Sequence, residues 1–296
     1  MDMHALQAFV EVARRGSFSM AAEALFVTQP AVSKRVSALE QELGARLFDR
    51  IGRRISLTEA GRALLPRARR LLIEAEDMRR FASSLSERVS GSLVMGTSHH
   101  IGLHRLPPVL KAFRASHASV NLDIRFMDSE QACHAVEQGD LELAIVTLPS
   151  SVPGNLQIEP IWIDRLHVVI EPGHPLNRGG KITLQELVDC PCVLPGSSTY
   201  THSILKNAID ELGLELRVNM TTNYLETLKM LVKTGFGWSL IPHTMVDVDV
   251  AVLDTDLQLQ RELGSVIHRQ RTLSNAASAM LATLHAHAEH AGQQAT

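Results

Sequence analysis

Apolar residues recur at helical spacing in three segments near the start of the chain. In residues 2–15, Leu6, Phe9, Val10 and Ala13 share one face, and Gly16 predicts the end of the helix. Residues 17–43 hold two further patterns with a short break between them. Their apolar positions are Ala21, Ala22 and Leu25, followed by Val32, Val36, Leu39 and Leu43. This spacing predicts three helices, of which the last two form a helix-turn-helix.

The last of these helices would carry a polar outer face. Ser17 or Ser19 is placed to cap the second helix and Thr28 the third, in which Pro30 falls within the first turn. Hydroxyls, an amide and a cation on this face suit base edges and phosphates in a major groove. The predicted DNA-contacting residues of the helix are Thr28, Gln29, Pro30, Ser33, Lys34 and Ser37. A plain helical hairpin with a solvated face is the competing interpretation of the periodicity.

An arginine-bearing turn follows in the segment RLFDRIGRRISLT, residues 46–58. Arg50, Arg53 and Arg54 flank a glycine between two short extended pieces, as in the wing of a winged helix. Guanidinium groups on such a turn suit phosphates or a minor groove, so Arg53 and Arg54 join the predicted DNA contacts. Solvated charge on a loop is the alternative.

A long apolar seam begins after Thr58, a predicted capping residue. Its positions alternate at spacings of four and three residues: Leu64, Ala68, Leu71, Ala75, Met78, Ala82, Leu85 and Val89. This pattern predicts a helix that pairs with a second copy as a coiled coil, with a kink near Pro66. The alternative is a helix that buries its stripe on its own chain.

From residue 91 onward, short apolar runs alternate with helical patterns, which is typical of an α/β domain. The predicted strands lie near residues 92–97, 120–126, 142–147, 166–171, 192–195, 217–221 and 265–269. The predicted helices lie near residues 101–116, 129–138, 183–188, 201–212, 224–234 and 272–288.

Several short segments in the first part of the chain share the pattern of one family. They are LQAF at 6–9, GSF at 16–18, AA at 21–22, TQPAVS at 28–33, LE at 39–40, LG at 43–44, LFDR at 47–50 and LTEAG at 57–61. The chain thereby resembles the LysR-type transcriptional regulators, densely over residues 1–65 and more loosely over its whole length. The resemblance implies a DNA-binding regulator, not an enzyme, whose promoter binding is modulated by a small-molecule effector.

The resemblance also implies the organisation of the chain. An all-α winged helix-turn-helix domain (residues 1–58) and a linker helix (59–90) precede an α/β effector domain of two periplasmic-binding-protein-like lobes (91–296). The first lobe takes residues 91–162 and 266–296, and the second takes 163–265. The implied partners are double-stranded promoter DNA, the effector and a second copy held through the linker helix. A homotetramer and a contact with RNA polymerase are further expectations.

Charge is distributed unevenly along the chain. The net charge is −3, but residues 1–90 hold 15 basic and 11 acidic residues, a net charge of +4, which leaves −7 for the remainder. The basic end is therefore the end expected to bind DNA. No apolar run has the length of a membrane span and no signal-peptide pattern opens the chain, so we expect a cytoplasmic location.

An enzyme and a free-standing solute-binding protein are the alternatives from other classes. The sequence contains no G-x-S-x-G, phosphate loop, H-E-x-x-H or dinucleotide glycine fingerprint, so no nucleophile or base is indicated. The effector half alone would suit a solute-binding protein, but the missing export signal and the wing argue against one. The three cysteines fit neither a disulfide framework nor a zinc site, and Cys190 and Cys192 are interpreted as packing residues.

Hydroxyl-bearing residues stand where strands end and helices begin, the places where open α/β sheets bind ligands. By the family resemblance these positions line the cleft between the lobes, which Asn223 and Gly237 border. The predicted effector-binding residues are Thr97, Ser98, His99, His100, Ser129, Thr147, Ser198, Thr199, Asn223 and Gly237. For each serine or threonine alone, helix capping is the competing interpretation.

We expect the effector to be a small organic anion, mainly a carboxylate, because backbone N–H groups at helix N-termini favour negative charge. Protonated His99 or His100 would assist, and affinity would then fall as pH rises through about 6.5. No cofactor is expected. His100 and His104 share a helical face near His99, but no carboxylate or thiol at a fitting spacing completes a metal site, so no metal is predicted.

Overall fold

The structure, a computed structural model, describes residues 2–51, 54–84 and 89–293. The chain divides into two units, Met1–Leu85 and Ser86–Thr296. Each unit has its own hydrophobic core.

Three helices build the first unit: α1 (Met3–Arg15), α2 (Phe18–Ala24) and α3 (Gln29–Leu43). Gly16 ends α1 in the left-handed conformation with φ 62°, and the hydroxyl of Ser17 caps α2 by accepting a hydrogen bond from the backbone N–H of Met20. Both positions confirm the sequence prediction. The predicted stripe of α3 is buried at Val32, Val36 and Leu39, whereas Leu43 is exposed. The last position of the stripe was therefore assigned wrongly.

A two-stranded hairpin follows, as the wing prediction requires. Strands β1 (Phe48–Ile51) and β2 (Arg54–Leu57) pair antiparallel, so the unit is not purely helical. Phe48 anchors the hairpin because its ring meets the edges of Phe9 and Phe18, with centroids 5.5 and 5.8 Å apart. Arg53 lies outside the described residues.

Helix α4 (Glu59–Ser84) begins after Thr58, whose hydroxyl accepts a hydrogen bond from the backbone N–H of Gly61. The predicted seam divides into two parts. Its first positions pack into the core of the same chain, where Ala68 is buried and Leu64 is partly buried. Farther along, the side chains of Leu71 and Met78 are 44% and 69% exposed.

The helical part of the seam ends earlier than the heptad pattern predicted. Val89 lies outside the helix, because α4 ends at Ser84 within the described residues. Leu85 falls outside the described residues, as does the side chain of Ala82. The apolar surface that is free for a partner helix therefore begins near Leu71.

The second unit is built on a mixed sheet. Its strands are β3 (Gly91–Thr97), β4 (Val120–Phe126), β5 (Leu143–Thr147), β6 (Leu156–Ile170), β9 (Ser239–Pro242), β10 (Ala251–Val252) and β11 (Leu259–His268). The order is β10-β6-β11-β5-β3-β4, with β9 also paired to β6. Strand β3 runs parallel to β4 and β5, whereas β11 runs antiparallel to β5 and β6.

Strands β6 and β11 connect the two lobes, and the sequence prediction covered only the end of each. Only residues 166–171 and 265–269 were predicted, but the pair runs from Leu156 to Ile170 and from Leu259 to His268. The register shifts between Leu263 and Gly264, opposite Trp162 and Pro160. Pro160 and the charged residues on these strands break the apolar runs on which strand prediction depends.

Helices cover both lobes. The first lobe holds α5 (His99–His104), α6 (Leu106–Ser116), α7 (Ser129–Gln138) and α11 (Asn275–Gln293). The second holds α8 (Leu184–Val188), α9 (Tyr200–Asp210), α10 (Leu225–Lys233) and a 3₁₀ turn, His243–Met245, with a small parallel sheet of β7 (Cys192–Leu194) and β8 (Val218–Thr221).

The single helix predicted at 101–116 is two helices, α5 and α6, that meet at Arg105. Pro107 and Pro108 explain the break, because a proline lacks an N–H and its ring clashes with a carbonyl one turn earlier. Strands β9 and β10 were not predicted at all. Among the described residues, no helix has both the length and the apolar character to cross a membrane.

Candidate functional site

The outer face of α3 presents the residues predicted to contact DNA. Gln29, Pro30 and Lys34 are exposed, Ser33 and Ser37 are half-buried, and the opposite face of the helix forms the core. Thr28 occupies the N-cap position and is exposed, but its side chain makes no capping hydrogen bond. The structure thus leaves the polar groups at the start of α3 free to meet a ligand.

The structure describes fewer of the predicted DNA contacts in the wing than on α3. The backbone of Arg54 lies in β2, but its side chain is not described, and Arg53 is outside the described residues. The predicted contacts from these two arginines therefore remain predictions from the sequence.

In the second unit a small cavity of about 50 Å³ lies between the lobes. Seven of the ten predicted effector-binding residues line it: Ser98, His99, His100, Ser129, Thr147, Thr199 and Asn223. Four polar residues that the sequence analysis did not select also line it: Asp128, Glu130, Thr201 and Arg261. The topology thus brings one set of polar groups together from both lobes.

The other three predicted residues lie outside this lining. Thr97 is fully buried, and its hydroxyl donates to the carbonyl oxygen of Ile145 over 2.8 Å. Gly237 has φ 143°, and a Cβ at this position would lie 2.3 Å from the carbonyl oxygen of Pro191, so the glycine is required by packing. Ser198 is exposed in the turn before α9.

Four helices begin at the cavity. Ser98, Asp128 and Thr199 are the N-cap residues of α5, α7 and α9, and Asn223 and Leu225 flank the start of α10. The hydroxyl of Thr199 accepts a hydrogen bond from the backbone N–H of His202 and is therefore a helix cap. The side chain of Ser98 makes no capping hydrogen bond, which leaves its hydroxyl free for a ligand. Several positive helix ends therefore converge on one small volume.

Arg261 brings a guanidinium group to the lining of the cavity, where Asp164 pairs with it. Strand β11 places it opposite Asp164 of β6. The guanidinium Nε donates to Asp164 Oδ2 over 2.9 Å, and Nη2 forms an ion pair with the same oxygen at 2.8 Å. Its Nη1 donates to the Thr201 hydroxyl over 2.9 Å. The side chain is almost fully buried, so this ion pair is charge-assisted and desolvated, and Arg261 is held in one position.

His100 lies against the same ion pair. It is only 4% exposed, and neither ring nitrogen makes a hydrogen bond within the described residues. Its Nε2 lies 3.8 Å from Asp164 Oδ2. Burial, and next the Arg261 cation, lower the pKa of His100 to about 3. His100 is therefore neutral near pH 7, and the prediction that it could assist as a cation is not supported.

Hydrogen bonds link the two lobes across the cavity. Asn223 donates from Nδ2 to Asp128 Oδ2 over 2.6 Å, and its Oδ1 accepts from the backbone N–H of Gly196. The Glu130 carboxylate accepts from the backbone N–H of Tyr200. Burial raises the pKa of Glu130, although that hydrogen bond opposes the shift. These bonds hold the lobes together in the observed state.

The carboxylates and Arg261 were missed for different reasons. Asp128 and Glu130 resemble ordinary acidic residues at the start of a helix, where they stabilise the N-terminus. Arg261 lies in the part of β11 that was not predicted. One feature of the sequence could have indicated Arg261. It and Asp164 lie in two segments of alternating polar and apolar residues, and these segments pair as β11 and β6.

Two family models match the chain. The model described as "LysR substrate binding domain" matches residues 86–289, more than half of the chain. The model described as "Bacterial regulatory helix-turn-helix protein, lysR family" matches residues 3–62. Together they cover both units.

Named relatives agree with these matches. The HTH-type transcriptional regulator CysB of Haemophilus influenzae is 30% identical over 283 residues, which covers 92% of this chain and 86% of CysB. A transcriptional regulator from the ibpB-leuC intergenic region of Azotobacter vinelandii is 64% identical over 108 residues, 36% of this chain and 75% of that protein.

Solved structures agree in fold. A full-length OxyR variant from Pseudomonas aeruginosa superimposes with a TM-score of 0.72 at 22% identity, covering 96% of this chain and 94% of OxyR. The effector binding domain of QuiR in complex with shikimate gives a TM-score of 0.62 at 17% identity, over 68% of this chain and 98% of QuiR. On the two family models and these relatives, the chain belongs to the LysR family of DNA-binding transcriptional regulators, which are not enzymes.

Proposed function

We propose that the DNA binding of this LysR-family regulator is modulated by a small organic anion, a carboxylate, held in the cavity between the lobes. The observation that carries the proposal is Arg261, a buried guanidinium that reaches a cavity into which several helix N-termini point. Ser98 adds a hydroxyl that makes no capping hydrogen bond. This local set of donors is needed because the effector half carries a net negative charge, which gives no long-range attraction.

The same cavity favours hydroxyl groups on the ligand. Asp128 and Glu130 each accept one hydrogen bond from the opposite lobe, and a carboxylate has room for more. A ligand that carried only negative charge would meet these two carboxylates without a donor to offer. A hydroxylated carboxylate satisfies both the guanidinium and the acceptors, and shikimate, the ligand of the QuiR structure, is one such compound to test.

The DNA-contacting residues are also part of the proposal. Thr28, Gln29, Pro30, Ser33, Lys34 and Ser37 on α3, with Arg53 and Arg54 of the wing, would contact the promoter. The division at residues 1–58, 59–90 and 91–296 is proposed on the same basis. We expect a homodimer through α4 and a homotetramer in the assembled regulator, with RNA polymerase as a further partner. The proposed place of action is the cytoplasm.

Calorimetry on two variants, Ser98→Ala and Ser198→Ala, tests the anion site. A panel of hydroxylated carboxylates, read by thermal shift, identifies a ligand, because a ligand at 100 times its Kd adds about 2.7 kcal/mol of stability. Ser98→Ala should then weaken binding about tenfold or more, since a hydrogen bond to a charged group contributes about 1.5–3 kcal/mol. Ser198→Ala, in the turn before α9 and outside the lining, is the matched control. A cationic or neutral ligand, or equal affinity in both variants, would refute the site.

A further inference from the structure

Two histidines and a carboxylate meet beside the cavity, and among them His100 also lines it. His100 and His104 lie one turn apart on α5 in the first lobe, and Glu226 lies in the first turn of α10 in the second lobe. One potential ligand atom of each lies within 4.8 Å of the other two. His104 Nε2 and Glu226 Oε1 are already 3.3 Å apart. Sequence spacing could not reveal this set, because Glu226 is far from the histidines along the chain.

His100 is the unusual member of this set. Its imidazole is buried and both nitrogens lack a hydrogen bond among the described groups, whereas buried polar atoms almost always have a partner. Its ring stacks beside that of His104, with centroids 4.8 Å apart. An ion pair between His104 and Glu226 would account for those two residues, but it would leave His100 without a partner. A bound ion would contact all three residues and would give one His100 nitrogen a partner.

We propose that His100, His104 and Glu226 bind a divalent transition-metal ion of the zinc class, which joins the two lobes. Two imidazoles and one carboxylate are a recognised zinc ligand set that leaves a fourth position for water or another ligand. Imidazole also suits nickel and copper, whereas magnesium and calcium prefer oxygen ligands throughout. The proposal goes beyond the anion site, because it concerns a second ligand.

The geometry needs only a small adjustment. With metal–ligand distances of about 2.0–2.2 Å, neighbouring ligand atoms of a tetrahedral site lie about 3.3–3.6 Å apart. The pair from His104 and Glu226 already has this separation. The remaining atoms must approach by up to about 1.5 Å from the 4.8 Å limit. The side chains of His104 and Glu226 are partly exposed, so less packing opposes this movement.

The charges around His100 come from two arginines and one aspartate, so Glu226 must supply the negative charge that a bound cation needs. Arg261 and Arg105 both lie near His100, but both are paired with Asp164, whose Oδ2 is 3.8 Å from the ring. On the side of Glu226, Lys229 is paired with Asp247.

Cobalt(II) titration of the full chain, stripped of metal with a chelator, tests the proposal without any organic ligand. We expect one ion per chain with the visible absorption of a four- or five-coordinate site, and displacement by zinc. His104→Ala and Glu226→Gln should each weaken binding about 100-fold or more, because even outer-shell partners of metal ligands change affinity about 10- to 100-fold. Both side chains are partly exposed, so the variants should keep the thermal transition of the wild type.

His243→Ala is the matched control. His243 Nδ1 lies 3.1 Å from His167 Nε2 on the second lobe, so this pair is the competing histidine site among the described residues. The control variant should bind cobalt as the wild type does. The proposal is overturned if the wild type takes up no cobalt, if His104→Ala and Glu226→Gln bind it unchanged, or if only His243→Ala loses it. Failure of the anion site would leave this result unaffected, because no anion takes part in the titration.

Discussion

At the scale of single residues, the polar start of α3 divides into groups suited to bases and groups suited to phosphates. Gln29 offers an amide that can donate to and accept from a base edge, whereas Lys34 offers a point charge. Both are exposed, so neither supports the core, and their substitution should report on DNA contacts alone.

We expect Gln29→Ala to relax sequence preference by about 1–3 kcal/mol at particular base pairs. Lys34→Ala should instead weaken binding to all sequences alike and reduce the salt slope by about one unit. Binding curves for a set of single-base operator variants at several salt concentrations distinguish the two effects. A uniform loss in both variants would show that Gln29 is not a base reader.

His100 makes stability depend on pH. Its pKa is about 3 in the folded chain against an ordinary value of 6.5, so between these values the unfolded chain binds a proton that the folded chain does not. The stabilisation is fully present above pH 6.5 and is lost as pH falls towards 3. The slope from this group is at most about 1.4 kcal/mol per pH unit.

Urea unfolding in the presence of a chelator, at pH 7.5 and at pH 5.5, measures this slope. His100→Gln should lose stability at pH 7.5 but should flatten the pH dependence. His134→Gln, an exposed histidine on α7, is the control and should behave as the wild type does. An unchanged slope in His100→Gln would mean that other groups cause the acid destabilisation.

At the scale of elements, α4 shows how one apolar stripe serves two purposes. Its first turns pack on the helix-turn-helix core through Leu64 and Ala68, whereas Leu71 and Met78 are exposed in the single chain. Exposed apolar side chains of this size are unfavourable in water, so we expect a partner helix to cover them.

Replacing Leu71 and Met78 together with glutamate should break the dimer, because like charges would then face each other across its axis. Operator binding should be lost while the effector domain stays folded. Exchanging the charges of exposed Arg70 and Glu74 on the same helix is the control, since the pair keeps its net charge. Sedimentation that shows an intact dimer for the double glutamate variant would rule out this seam.

The elements also show what the sequence could predict. Helices with a clear apolar stripe, such as α1 and α3, and strands with a continuous apolar run, such as β5, were located to within a few residues. Strands β6 and β11 were mostly missed, because each crosses from one lobe to the other and buries charged residues at the crossing. Asp164 and Arg261 form their hydrogen bond only when the two strands pair. A local sequence pattern cannot predict such a contact.

The residues of the candidate site also divide into those that the sequence could predict and those that it could not. Ser98, Ser129 and Thr199 were found because strand ends and helix starts are local signals. Arg261, and the meeting of Glu226 with His100, depend on contacts between distant parts of the chain and were found only in the structure. Thr97 and Gly237 carry the local signal but support packing, which burial alone reveals.

At the scale of the whole molecule, a ligand regulates the protein only if it binds the DNA-competent state and the other state with different affinity. The cavity lies between lobes that are joined by hydrogen bonds from Asp128 and Glu130, so a ligand that replaces these bonds changes the relative energy of the lobe arrangements. By linkage, the change in DNA affinity caused by the ligand equals the change in ligand affinity caused by DNA.

The most direct test is the affinity of the full chain for its operator, measured by fluorescence anisotropy with and without the carboxylate that the thermal panel identifies. The operator is a fragment that the purified chain selects from a random library. We expect the saturating ligand to change operator affinity by about 5- to 150-fold, and Ser98→Ala to shift this response to higher ligand concentration. Tight ligand binding that leaves operator affinity unchanged would contradict a ligand-modulated regulator.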